Sequence, residues 1–257
     1  MPAITLTTDW GTSDYFTGAL KGEILAAFTE ATIVDISHNI NKHDQIHGAF
    51  VLKNSWTRFP SGTVHIISVA GSGVKQPSLI AITFEGHFFL GPDDGFFSLL
   101  FVDAAIEGYY VRNAKGEKVI PLTKIIAASA AFLAKGGKIA DMGDKITEFE
   151  KKSMFQATIN DDSIKGQVIY IDTFGNLITN VTKDLFERIS KGRGFEIILK
   201  KSGYDVNVIS KDYYEAGIGN LLALYNEAGY LEIAISKGSA TELLNMKNGE
   251  IVRIDFK

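Results

Sequence analysis

The chain opens with Ile4-Thr5-Leu6-Thr7-Thr8-Asp9-Trp10-Gly11-Thr12-Ser13-Asp14, and residues 16–28 follow with Phe16, Leu20, Ile24, Leu25 and Phe28 at helical spacing. The first four residues read as a strand, the next seven as a polar turn, and the last group as a helix with one apolar face. Working outward, the same alternation recurs. Residues 32–36 form a second strand, 45–59 a second helix and 64–69 a third strand. Strands over 80–84 and 87–90 precede the turn Gly91-Pro92-Asp93-Asp94-Gly95. An alanine-rich helix over 124–135 stops at Gly136-Gly137. Strand–helix–strand repetition implies right-handed crossovers and a mostly parallel sheet. Ligands of such sheets bind beyond the carboxyl ends of the strands, here marked by Asp9, Ser37-His38 and Ala70-Gly71-Ser72-Gly73.

A polar, charged stretch over 141–162 follows, and it reads either as a domain boundary or as a solvated loop within one domain. Beyond it the period changes. Short strands are expected over 166–171, 195–200, 204–209, 221–225, 230–235 and 250–256, with Gly or Asn turns between them, and only 182–190 looks helical. This spacing indicates an all-β barrel or sandwich. The chain divides into an α/β domain, 1–157, and a β domain, 163–257.

Composition narrows the function classes. Among 257 residues, 26 Lys and Arg face 30 Asp and Glu, a net charge of −4 that leaves no basic footprint for nucleic acid. Zero cysteines exclude a disulfide framework, a thiolate metal site and a cysteine nucleophile. The N-terminus lacks a signal-peptide pattern, and no apolar run reaches the ~18 residues of a membrane span. A soluble, cytoplasmic protein with no membrane partner is therefore expected. The 25 Gly and 5 Pro, an excess and a shortage against usual values, fit many short, flexible connections.

Two motifs carry chemistry. Asp9 at a strand end can accept two hydrogen bonds from a vicinal diol such as a ribose, or it can cap the following helix. Asp172-Thr173-Phe174-Gly175-Asn176 places an acid, an aromatic face and an amide within five residues. Those groups can hold an ammonium, stack a base and bond its edge, and the same letters also make a hairpin turn. His38, His43, His47, His65 and His87 are scattered without metal-ligand spacing, so no metal is expected. There is no G-x-S-x-G elbow and no phosphate loop.

Six segments in order resemble one family. They are Thr7-Thr8-Asp9-Trp10-Gly11, Asp35-Ile36-Ser37-His38, Phe59-Pro60-Ser61-Gly62-Thr63-Val64-His65, Gly91-Pro92-Asp93-Asp94-Gly95, Asp172-Thr173-Phe174-Gly175-Asn176 and Leu231-Glu232-Ile233-Ala234. The chain resembles the S-adenosylmethionine hydroxide adenosyltransferases (adenosine-forming S-adenosylmethionine hydrolases), whose relatives include the fluorinase and chlorinase. The resemblance implies a seven-stranded, Rossmann-like α/β domain, a C-terminal β-barrel domain and a homotrimer with the ligand between subunits. It implies S-adenosylmethionine or adenosine as ligand and no separate cofactor. By position, Asp9 matches the acid that holds the ribose hydroxyls, and Asp172 the acid that takes the methionine ammonium. Phe174 and Asn176 match the adenine-binding pair, and Ala240 the backbone contact to adenine.

The nucleophile half departs from the family. Its hydrolases carry an Asp in a D-P-G-V-G turn, an Arg a few residues on and a His in an F-H-G-R-D segment. This chain has Val69-Ala70-Gly71-Ser72-Gly73-Val74, then Pro77-Ser78, and Ile120-Pro121-Leu122-Thr123-Lys124. The halogenases' Tyr and halide-binding Ser are missing too. The catalytic residues are therefore unassigned, with Ser68, Ser72, Thr123 and Lys124 as the available polar groups. Glu227 stands in the loop that holds the methionine carboxylate in the family. At ~4 Å and an effective dielectric of ~20, like charges repel by about 4 kcal/mol, unless Glu227 points to solvent. The expected function is binding of S-adenosylmethionine or adenosine, with hydrolysis at a non-standard site. The alternative is a catalytically silent nucleoside-binding homotrimer.

Overall fold

The computed structural model describes residues 3–70, 77–102, 104–112, 121–153, 155–201 and 203–257. The expected turn at Gly71, Ser72, Gly73 and Val74, and Ile120, lie outside the described residues. The chain separates into two compact units, Met1–Met154 and Phe155–Lys257.

In the first unit, β1 (Ala3–Thr8), α1 (Phe16–Ala27), β2 (Thr32–Ser37), α2 (Gln45–Lys53) and β3 (Val64–Ser68) follow one another. Next come β4 (Leu79–Phe84), β5 (His87–Pro92), α3 (Phe96–Leu100), β6 (Glu107–Tyr110) and α4 (Leu122–Ala134). Six strands form one sheet in the order β2-β1-β3-β5-β4-β6. The pairs β1–β2, β1–β3 and β3–β5 are parallel, whereas β4 runs antiparallel to both β5 and β6. The sheet is thus mixed, with six described strands where the resemblance implies seven. The antiparallel step has a local cause. Glu85 and Gly86 both take positive φ, 46° and 78°, the geometry of a two-residue hairpin.

The central strands β1, β3, β4 and β5 are largely buried on both faces, so successive side chains feed two cores. Ile4, Leu6, Val64 and Ile66 pack with Leu20 and Ile24 of α1 and Ile126, Ala130 and Leu133 of α4. Ile67, Ile80, Ile82 and Phe89 pack with Ala49 and Leu52 of α2 and Phe96 and Phe97 of α3. The helix expected over 45–59 stops at Lys53. There the Asn54 amide donates to Phe50 O and the Ser55 hydroxyl to Val51 O, competing with helix continuation. A short 3-10 turn, Trp56–Arg58, takes up the rest.

The second unit holds β7 (Thr158–Asn160), β8 (Ser163–Ile171), β9 (Leu177–Thr182), α5 (Lys183–Ser190), β10 (Phe195–Ile198), β11 (Leu221–Tyr225), β12 (Tyr230–Ile235), α6 (Ala240–Leu244) and β13 (Ile251–Phe256). Its order is β10-β13-β8-β9-β12-β11, with β7 against β8, and every pair is antiparallel. Register shifts between Val168 and Tyr170 and between Tyr230 and Glu232 bend the strands, so the sheet curls. Ile164, Val168, Leu177, Val181, Leu231, Ile233 and Val252 line its concave core. The strand expected over 204–209 is reduced to two isolated bridges, Ile197 with Val206 and Ile209 with Ala223. The helix α6, the strand β9 and the first unit's α3 and β6 were not anticipated from sequence patterns.

Candidate functional site

In the first unit Asp9 follows β1 and is 8% exposed. Its Oδ2 accepts the backbone N–H of His43 at 3.0 Å and that of Ala70 at 3.3 Å. It does not cap α1, whose N-cap is Tyr15. The helix-cap reading of Asp9 is thereby set aside. His43 has φ +64°, a left-handed backbone that turns its N–H toward the carboxylate.

The flanks of Asp9 are pinned by His38. Its carbonyl accepts the Gly11 N–H at 2.7 Å, and its ring Nδ1 lies 2.8 Å from the Thr8 hydroxyl. The other ring nitrogen lies 3.1 Å from Asp35, which also takes the Lys21 ammonium at 2.6 Å. Burial works against ionisation of Asp35, but hydrogen bonds from Lys21 and His38 outweigh it and hold the carboxyl below its ordinary range.

A cavity of about 260 Å³ opens beside His43, lined also by Gln45, Leu99 and Lys152. Buried Gln45 links its parts, donating to Val69 O and accepting from Lys152 Nζ. Of the polar groups available to a nucleophile, Ser68 is half-buried at the end of β3, and Thr123 and Lys124 stand in the first turn of α4.

In the second unit the Asp172 segment is the β8–β9 hairpin turn, and the turn itself builds the site. Asp172 Oδ1 accepts the N–H groups of Phe174 and Asn176, both at 2.9 Å, and Oδ2 accepts the Asn176 amide at 2.9 Å. Asn176 is buried, whereas Phe174 is 76% exposed. Gly175 takes φ +80°, and a Cβ there would fall 2.2 Å from Ser239 Oγ, so this position requires glycine. The Gly175 carbonyl accepts the Thr241 N–H at 2.9 Å. That bond brings the start of α6, with Ala240, against the turn. Ala240 is fully buried, its backbone as well as its methyl. The structure therefore gathers Asp172, Phe174, Asn176 and Ala240, and holds Asp9 in a separate cradle of the first unit.

Sequence reading missed the supporting groups. The N–H donors to Asp9 come from 34 and 61 residues away. Beside the Asp172 turn, Glu232 is 3% exposed and accepts from the Tyr213 hydroxyl at 2.7 Å. The signal for Glu232 was present, since it is the one charge in the strand Tyr230-Leu231-Glu232-Ile233-Ala234-Ile235. Glu227 is exposed at the tip of its loop. Among the described residues no group of three or more His, Asp or Glu side chains could hold a metal, and no helix is long and apolar enough to cross a membrane.

Element order and motif order define a chain of the S-adenosylmethionine hydroxide adenosyltransferase kind. The models of that family's N-terminal and C-terminal domains match residues 4–143 and 166–253, and the chain belongs to this family. Among its relatives, an (R)-S-adenosyl-L-methionine hydrolase of Methanocaldococcus jannaschii is 30% identical, over 95% of this chain and 92% of the relative. A fluorinase of Nocardia brasiliensis is 25% identical, over 98% of this chain and 96% of its own. The crystal structure of an uncharacterized conserved protein from Thermotoga maritima superposes with a TM-score of 0.87 at 26% identity, covering 98% of this chain and 99% of that one.

Proposed function

We propose that this chain binds S-adenosylmethionine or adenosine and hydrolyses S-adenosylmethionine to adenosine and methionine. Asp9 would hold the ribose hydroxyls and Asp172 the methionine ammonium. Phe174 would stack on the adenine, with Asn176 and the Ala240 backbone bonding its edge. The observation that carries the reading is the Asp172 turn, which spends three hydrogen bonds on presenting an exposed ring beside a buried amide. An exposed aromatic on a rigid turn is a stacking platform. Relatives named as S-adenosyl-L-methionine hydrolases supply the reaction. In it water attacks the ribose C5′, the C5′–S bond breaks, its electron pair leaves with methionine, and the water's proton passes to solvent.

The reading includes a cytoplasmic homotrimer without cofactor, nucleic-acid or membrane partner, in keeping with the net charge of −4. It also includes a Rossmann-like domain over 1–157 and a barrel over 163–257. Helices on both faces of the parallel strands support the former, and the bridges at Val206 and Ile209 between β10 and β11 support the latter.

One observation favours the alternative of a silent nucleoside-binding homotrimer. Ala70 stands where the family's hydrolases carry an acid, and its N–H serves to hold Asp9. Incubation of the purified chain with S-adenosylmethionine, followed by chromatography, separates the two. Equal amounts of adenosine and methionine, lost in Asp9→Ala, are expected for the hydrolase. Adenosine-dependent thermal stabilisation without turnover identifies the silent form, and neither result overturns both.

A further inference from the structure

Glu232 lies on the face of the curled sheet opposite its concave core. It pairs with Leu224 of β11 on one side and Ile178 of β9 on the other, and Ile178 pairs with Tyr170 of β8. Directly paired residues of antiparallel strands share a face, so Tyr170, Ile178, Glu232 and Leu224 form one row across four strands. A carboxylate in such a row, beside the small apolar cluster of Leu222, Leu224, Ala234 and Ala216, needs a reason to be there.

Its partners supply one. Besides the Tyr213 hydroxyl, the Asn226 side chain bonds the same carboxyl. The Asn226 Oδ1 at the same time accepts the N–H groups of Ala228 and Tyr230, closing the 226–230 loop. The donors described to Glu232 are a phenol and an amide, and those to Asp172 are two backbone N–H groups and an amide. Every one is neutral. Register brings the two acids close: Ile171, next to Asp172, pairs with Leu177, and Leu177 pairs with Ile233, next to Glu232. The Asp172 charge then works against ionisation of Glu232.

We propose that Glu232 is a positioning residue for the Asp172 site, acting through the Tyr213 hydroxyl and the Asn226 loop to make that site select a ligand bearing a positive charge, an ammonium or a sulfonium. The inference rests on the reading of Asp172 as the ammonium acceptor and assigns the selectivity of that same site to a second acid. The groups bonded to Glu232 are Tyr213 from the segment before β11 and Asn226 from the loop before β12. Ile178 and Leu224 flank it, Tyr170 lies one strand further along its row, and Asp172 acts on it by charge. Burial, the larger influence, and the Asp172 charge push the Glu232 carboxyl above its ordinary range, against the hydrogen bonds from Tyr213 and Asn226. An arriving cation reverses that balance. The cation favours the ionised carboxylate, so over the pH range in which Glu232 still carries its proton, cation binding is linked to proton release.

Calorimetric titration in buffers of different ionisation enthalpy, over a pH series running upward from the ordinary carboxylate range, reads this linkage directly. Wild type should bind a non-hydrolysable S-adenosylmethionine analogue with proton release, and adenosine without it. The analogue has an amine-bearing carbon in place of the sulfonium, so that turnover releases no proton. In Glu232→Gln, which keeps the size and the acceptor for Tyr213, release should vanish and the analogue should bind about tenfold more weakly, with adenosine unchanged. Tyr213→Phe, which removes a donor to the ionised acid, should move the release to higher pH. Unchanged affinity and release in Glu232→Gln overturn the proposal, as does an equal loss for both ligands, the mark of a purely structural role. Release that stays at the same pH in Tyr213→Phe overturns the route through Tyr213. Wild type that binds neither ligand instead overturns the reading of the site itself.

Discussion

The surroundings of Asp9 and of Asp172 are built in opposite ways. Asp172 is held by its own turn, with all three of its donors within four residues. Asp9 is held by backbone from two distant segments, at His43 and Ala70, that only the completed sheet brings to it. A locally built site survives changes elsewhere in its unit, whereas a site assembled from afar depends on everything that aligns β1, β3 and α2. The difference also runs through the buried titratable groups. The first unit buries a histidine, which loses stability on acidification, and the second buries an acid, which gains it.

Acid should therefore separate the two units, and this is the largest effect expected. His65 is fully buried between the Thr5 hydroxyl at 2.7 Å and His87 at 3.2 Å, with Trp56 against both rings. Burial first, and the neighbouring His87 second, push its pKa down to about 3. Its folded value lies below the unfolded one, so the stability it contributes is complete above about pH 6.5 and is lost as pH falls toward 3. The slope is about 1.4 kcal/mol per pH unit, or about 2 kcal/mol between pH 6.5 and pH 5. Both tryptophans, Trp10 and Trp56, belong to the first unit, so urea unfolding followed by tryptophan fluorescence reports that unit. His65→Asn should be less stable at pH 7 but should lose less than half as much on going to pH 5. For Glu232 the sign is reversed. Its raised pKa adds stability at low pH that is lost as pH rises through the folded value.

The next effects probe the local and the distant construction. Gly175→Ala meets both a positive φ and Ser239, and should destabilise the second unit by about 2 kcal/mol while abolishing adenosine binding, as thermal unfolding and titration would show. Asp9→Ala strands two N–H donors and should cost the first unit about 1–3 kcal/mol by the tryptophan signal. Smallest is Lys21→Ala. Its ion pair with Asp35 is about one-third exposed on either side, and its loss should cost no more than about 0.5 kcal/mol.

The same contrast explains what could be read from the sequence. The Asp172 turn was legible because its acid, glycine and amide are neighbours in the chain, and hairpin turns obey local rules. Strands β1, β3, β11 and β12 were legible from their side-chain pattern. The antiparallel step at β4 was not drawn out, although Glu85-Gly86 carries it, because strand–helix alternation dominates its surroundings. The short helices α3 and α6 contain too few turns for a periodicity to show. The cradle of Asp9, the pairing of His65 with His87, and the closeness of Glu232 to Tyr213 depend on register between strands and on loops, which single-sequence patterns do not specify.

The central claim is that the Asp172 turn presents Phe174 to an adenine ring. Because Phe174 is 76% exposed, Phe174→Ala should leave the melting temperature unchanged, which separates binding from folding. The decisive measurement is the adenosine dissociation constant of Phe174→Ala against wild type. The expected result is binding at least about tenfold weaker at equal thermal stability, the worth of one lost stacking contact. Equal affinity in the two proteins would contradict the account.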